Sequence, residues 1–215
     1  MKLEILTQKP DFFQEEWPGH YDIFHWFEFV CGIPHPLFML TTYKDNGQPN
    51  ACLHSWSSFS GDGGGFYAVM PGILQRSHTY QNILRTKEFC VNFLSSDYLE
   101  MCQKTVSHND AETDEFAAGG FTLEASTTIT APRIKESFLS LECSLEMEKD
   151  LSQQGISALI IGNVRAIALD ESFTENAFKR YGQDGFMFNI HEPKNPLNAA
   201  GKRSGIGVID VIKKY

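Results

Sequence analysis

Between Pro36 and Met70 the chain carries two turn signals, and their spacing constrains the architecture more tightly than any other feature. Pro36-Leu-Phe-Met-Leu-Thr-Thr-Tyr43 is a run of large apolar and β-branched residues of strand length. Lys44-Asp-Asn-Gly-Gln-Pro49 follows, and its Asn46-Gly47 pair is a strong short-range hairpin signal. Residues 50–58 form the next strand-like run, and Gly61-Asp-Gly-Gly-Gly65 then reverses the chain into Phe66-Tyr-Ala-Val-Met70. Short strands joined by hairpin turns point to an antiparallel sheet.

The remaining elements agree. Residues 79–87 read as a helix with Ser77 or Thr79 as its cap. Glu88–Leu94 is a further strand and Asp97–Val106 a helix, and the acidic stretch 107–120 is a loop with a helical turn near 112–118. The clearest alternation spans 139–148: Leu139, Leu141, Cys143, Leu145 and Met147 should face inward, and Ser140, Glu142, Ser144, Glu146 and Glu148 water. Residues 157–170 are apolar on both faces, which suits a central strand or an interface. Ser172 with Glu175 makes a capping box for a short helix over 173–181. Late strands are expected at 186–190 and 206–212, with a surface loop from Lys194 to Gly205 between them. Tyr21–Phe29, crowded with aromatics, is either a short helix or a covering segment. Strands do not alternate with long helices, so a mainly β, closed antiparallel barrel with peripheral helices is expected, and a doubly wound parallel sheet is not. The 215 residues suit one domain spanning 1–215.

Several function classes fall away. A net charge of -9 argues against binding nucleic acid or an anionic membrane surface, because both reward Lys and Arg. The first residues are mixed and partly acidic, so no signal peptide is expected, and no uncharged run is long enough to span a bilayer. Five cysteines without a CxxC pair, four of them in apolar patterns, suit reduced thiols in the cytoplasm. His108 with Asp110, Glu112 and Asp114 lacks calcium-loop spacing, and the other histidines form no ligand pattern, so no metal is expected. No serine has a nucleophile-elbow setting and no cysteine an activating one. Neither Gly61–Gly65 nor Gly201–Gly207 has the surroundings of a phosphate-binding glycine motif.

Two chain-separated groups remain. Asn50, His54, Ser55, Trp56 and Ser57 lie on the 50–58 strand, and Arg76, Ser77, His78 and Thr79 at the turn that opens the first helix. Hydroxyls, a guanidinium and a helix N-terminus are the donors that bind a phosphate even on an acidic protein. With a tryptophan between the groups, they would suit a phosphorylated aromatic cofactor.

At these residues the sequence resembles the flavin reductase-like proteins of the FMN-binding split-barrel superfamily, particularly the flavoredoxin-like branch. The resemblance covers about residues 36–170, leaving 1–35 and 171–215 as peripheral extensions. It runs through the Asn50…Ser55-Trp56 strand, the Ser77-x-Thr79-Tyr80 turn, Glu88-Phe-Cys-Val-Asn92, Thr113-Asp-Glu-Phe116 with Gly120-Phe-Thr122, Ala131–Ser137, Leu141-Glu-Cys143 and Ile161-Gly-Asn-Val164. Two departures stand out: the Gly61–Gly65 loop replaces a proline pair, and Glu115 replaces a lysine, for which Arg76 would substitute.

The resemblance implies a six-stranded Greek-key barrel and a homodimer with FMN near the subunit interface. Asn50, His54, Ser55, Trp56 and Ser57 would line the flavin, and Arg76, Ser77, His78 and Thr79 would hold its phosphate. It further implies an oxidoreductase in which NAD(P)H reduces FMN and the electrons pass to an acceptor, with no residue acting as acid or base. One alternative is a flavoredoxin-like electron carrier reduced by a partner protein; another is a barrel that binds a non-flavin ligand.

Overall fold

The computed structural model describes residues 2–191, 193–201 and 205–213. Two short helices, α1 (His20–Ile23) and α2 (Phe27–Cys31), precede β1 (His35–Tyr43). Then come β2 (Pro49–His54), β3 (Ser58–Asp62), β4 (Gly65–Leu74), α3 (His78–Thr86), β5 (Glu88–Phe93), α4 (Leu99–Ser107) and α5 (Glu115–Gly119). A small ladder of β6 (Leu123–Glu124) and β7 (Arg133–Ile134) leads to the long strands β8 (Leu139–Lys149) and β9 (Ser157–Leu169). The last strands are β10 (Met187–Ile190) and β11 (Gly205–Gly207).

Every described strand pair is antiparallel. β1 pairs with β2 and β5, β5 with β8, β8 with β9, β9 with β4 and β4 with β3. Since β2 runs on into β3, the circuit closes as a barrel of six strands when β2 and β3 are counted as one. β10 and β11 extend the sheet from the far end of β1.

Alternation along β1 explains why its residues 37–40 are apolar without a break. Phe38 and Leu40 point into the barrel, where they meet Met70, Ile83, Phe89, Phe93 and Ile160. Leu37 and Met39 point outward into a second core with Cys102, Phe116, Phe121 and Ile134, beneath α4 and α5. The barrel interior is tight enough to require Gly162, because a Cβ there would collide with the Phe89 ring. At the tip of the β3–β4 hairpin, Asp62 Oδ1 accepts from Gly64 N at 2.7 Å, so the glycine loop makes a tight two-residue reversal.

Four sequence expectations need correction. The run 50–58 is not one strand: it breaks at 55–57, between β2 and β3. There His54 Nε2 meets Trp56 O at 3.0 Å and the Ser57 hydroxyl donates to Ser55 O at 3.1 Å. These local bonds replace the ladder while the chain leaves β1 for β4. In β8 the simple alternation fails, with Ser140 and Glu142 buried and Met147 exposed. Register shifts at Glu142/Cys143 and Leu145/Met147 re-aim the side chains, and residues 127–133 cover the expected wet face. The capping box at Ser172 does not form a helix. Asp170 and Asn176 instead cap two short 3₁₀ turns, Glu171–Phe173 and Ala177–Arg180. The last strand ends at Gly207 instead of continuing to 212, and residues 202–204 of the preceding loop lie outside the described residues.

Candidate functional site

β4 ends at Leu74, and the chain then turns tightly into α3. Leu74 O accepts from both Ser77 N at 3.0 Å and Ser77 Oγ at 2.7 Å, while Ser77 Oγ caps the helix by accepting from Tyr80 N at 3.2 Å. His78 and Thr79 occupy the first turn, whose amide groups have no acceptor within the helix. This end of α3 faces β2 across a cleft with two adjoining compartments of about 470 and 520 Å³. Cys52, Leu53, Leu74, Ser77, Thr79 and Val106 line both.

The first compartment carries most of the cleft's polar side chains, among them Asn50, Arg76, His78, Asn109 and Glu115. Buried Asn50 donates through Nδ2 to Thr79 Oγ1 at 3.0 Å, which ties β2 to α3. Glu115 is also buried, and Lys44 Nζ pairs with it at 2.9 Å while donating to the carbonyls of Asp110 and Thr113. The other Glu115 oxygen accepts from Ala51 N at 2.8 Å. Its negative charge is therefore balanced by the lysine of the first hairpin. Burial pushes the Cys52 thiol up to about 11, against a hydrogen bond from Thr79, so it stays protonated.

The second compartment is mostly apolar, and the N-terminal segment builds part of it. Ile23, Phe24 and Glu28 join His54, Trp56, Pro71, Gly72 and Ile73. Trp56 Nε1 donates to Glu28 Oε2 at 2.9 Å, and its ring stacks with Phe24 at 5.2 Å between centroids. Burial raises the Glu28 carboxyl above its usual range, partly countered by hydrogen bonds from the His25 amide and Trp56. Burial likewise drives His54 down to about 4, against hydrogen bonds to the Trp56 and Pro71 backbone. His54 is thus a neutral, fixed wall residue.

Of the nine residues singled out in the sequence, Asn50, His54, Trp56, Arg76, Ser77, His78 and Thr79 come together along this cleft. Ser55 and Ser57 do not line it: Ser55 Oγ accepts from Asn189 Nδ2 at 3.2 Å, and Ser57 bonds back to Ser55. The Ser77 hydroxyl is committed to the cap. Phe24, Glu28, Cys52 and Lys44 were not singled out. The aromatic crowding of 21–29 was the only sequence signal for the first two, and the Lys44–Glu115 pairing across the fold left none. Among the described residues, no cluster of His, Cys, Asp and Glu could hold a metal ion, and no helix is long and apolar enough to cross a membrane.

A closed six-stranded barrel with this cleft at its β2–α3 side is a split barrel of the flavin-binding class. The chain belongs to the family described as "Flavin reductase like domain", whose profile matches residues 30–186. That span is wider at both ends than the sequence motifs alone cover. An uncharacterised protein of Aquifex aeolicus (strain VF5) is 30% identical over 157 residues, covering 69% of this chain and 78% of that protein. The fold is similar to nitrilotriacetate monooxygenase component B from Bacillus cereus, with a TM-score of 0.73, 17% identity and 100% of both chains covered. It is similar also to flavoredoxin of Desulfovibrio vulgaris (Miyazaki F), with a TM-score of 0.63, 18% identity, and 85% of this chain and 90% of that one covered.

Proposed function

We propose that this flavin reductase-like protein binds FMN in the two-compartment cleft and transfers electrons from NAD(P)H through it to an acceptor. The carrying observation is the match between the cleft and a phosphorylated aromatic ligand. One compartment offers Arg76, the Thr79 hydroxyl and the open amides of α3, and the adjoining one offers Trp56, Leu53 and Ile73. In this reading Arg76 and the first turn of α3 bind the phosphate, and Asn50 fixes the Thr79 hydroxyl beside it. Trp56, held by Glu28, and neutral His54 form the wall for the ring system and exclude water. FMN, when bound, supplies the two-electron chemistry, and the chain's residues bind and orient it. The protonated Cys52 thiol takes no covalent part.

The flavoredoxin likeness supports a second reading, in which a partner protein instead of NAD(P)H reduces the flavin. A homodimer accompanies either reading, supported by apolar residues on the outer face of β4, β8 and β9. The five free cysteines suit the cytoplasm.

Purification with added FMN tests the proposal. The expected protein is yellow, binds FMN stoichiometrically and bleaches anaerobically with NADH or NADPH. A yellow protein inert to both favours the carrier, and a colourless one that takes up no FMN overturns both readings.

A further inference from the structure

The two compartments of the cleft differ in how their charge is balanced. In the first, the Glu115 carboxylate is paired with Lys44 at 2.9 Å, and Arg76 and His78 add to the lining. In the second, Glu28 is the one carboxylate, and no Lys or Arg stands among the described lining residues. Glu28 has no ion-pair partner among the described residues either. Its hydrogen bonds come from two neutral donors, Trp56 Nε1 at 2.9 Å to Oε2 and His25 N at 3.1 Å to Oε1. Such bonds fix the carboxylate and favour its ionised form, but they leave its net charge uncancelled beside the compartment.

The titratable groups packed around Glu28 do not cancel that charge. His54, at the end of β2, is neutral. His35 of β1 and His191 beyond β10 share a small cavity of about 180 Å³ with Glu28, Trp56 and Cys31, and burial holds both rings below the usual histidine range. His25, on the same segment as Glu28, is exposed, where water and salt screen it.

A flavin ring system is neutral when oxidised. Two electrons and one proton convert it to an anion, and a second proton is needed to neutralise it. A fixed negative charge beside the ring therefore disfavours the reduced form. Across about 10 Å, at an effective dielectric of about 20, two unit charges change an equilibrium constant roughly tenfold.

We infer that the Glu28 carboxylate sets the redox potential of the flavin: its uncancelled charge opposes the charge that the ring gains on reduction and lowers the potential. The inference rests on the flavin reading of the cleft. Electrons taken from NAD(P)H are then held less tightly and pass more readily to the acceptor.

FMN-loaded protein, titrated anaerobically with dithionite against a reference dye, tests this by absorbance. Glu28→Gln keeps an acceptor for Trp56 Nε1 but carries no charge. At pH 8 its potential should lie about 30 mV above that of the wild type, the equivalent of tenfold for a two-electron couple. As pH falls, the carboxylate and the reduced ring both take up protons, so the gap should close. Should the variant fold poorly, the wild type alone decides: at pH 8 it should bind oxidised FMN about tenfold tighter than reduced FMN. A variant potential equal to or below the wild type's at pH 8, or a gap that does not narrow with falling pH, overturns the inference. So does reduced FMN bound as tightly as oxidised. Titration of oxidised FMN by its fluorescence on the same samples keeps the two proposals apart. A wild type that binds FMN without these differences sinks the inference alone, and one that binds no FMN sinks the flavin reading and the inference with it.

Discussion

His54 and Thr79 show how single residues hold the cleft. His54 has a folded-state value of about 4 against an ordinary 6.5. Between those values the unfolded chain binds a proton that the folded chain refuses, so stability rises with pH through this window. The His54 contribution is complete above pH 6.5 and is lost as pH falls towards 4, amounting to roughly 3 kcal/mol at most. His20, His35 and His191 shift in the same direction, so the wild-type slope is a sum. Urea unfolding from pH 7 to 4 should show a clearly shallower decline for His54→Gln than for the wild type. Identical slopes would mean that His54 titrates normally. Thr79 acts through a bond and not a charge. Thr79→Val leaves the buried Asn50 amide without its acceptor and should destabilise the fold by about 1–3 kcal/mol, whereas Thr79→Ser should cost much less. If the first compartment holds phosphate, the valine variant also weakens FMN binding about tenfold and the serine variant does not. A valine variant as stable as the wild type would dismiss the Asn50–Thr79 bond.

At the scale of elements, the segment between β6 and β8 is held by two carboxylates: Glu88 accepts from the amide and hydroxyl of Thr130, and the buried Glu142 holds the residues before it. Glu142, fully buried in β8, accepts from Thr127 N at 2.8 Å and from both the amide and hydroxyl of Thr128 at 2.6 Å, and pairs with Arg133. Burial alone would raise its carboxyl, but these hydrogen bonds and Arg133 outweigh it and hold it below the usual range. Its stabilisation is therefore present above the usual carboxyl value and lost as pH falls through the lowered one. Glu142→Gln should destabilise the protein by about 2–4 kcal/mol and speed proteolysis within 125–133 at neutral pH. Unchanged cleavage there would show that the segment is held by other contacts. The Glu142 latch also marks where sequence reasoning stops. The alternation in β8 was legible as a strand, but its register shifts and the cover over Glu142 depend on residues brought from 127–133 by the fold. The same holds at the cleft. Asn50, Trp56, Arg76 and Thr79 announce themselves by residue type beside turn signals. The Trp56–Glu28 and Lys44–Glu115 partnerships span 28 and 71 positions, and no local pattern encodes them.

On the scale of the whole molecule, the barrel leaves an apolar row on its outside. Ala68 and Met70 point inward from β4, and Ile160 and Gly162 from β9, so Val69 and Ile161 point outward. Val69 pairs with Ile161, and Ile161 with the exposed Met147 of β8, which places the three side by side across neighbouring strands. Tyr67, Glu146 and the glycine reversal at Gly61 border the same shallow groove. A two-fold axis through this row would bring identical apolar surfaces together, as a self-complementary interface requires. Ile161→Glu would then set a carboxylate against its own copy, beside Glu146 on each protomer. Sedimentation equilibrium at micromolar concentration should find the wild type dimeric and Ile161→Glu monomeric. The half-exposed position should leave the circular dichroism of the barrel unchanged. A wild type that sediments as a monomer would refute the homodimer. A variant that stays dimeric would move the interface to another face. Flavin titration of the monomeric variant then separates two designs. Unchanged FMN affinity means that one chain completes the cleft, and a loss of tenfold or more means that the partner supplies part of it.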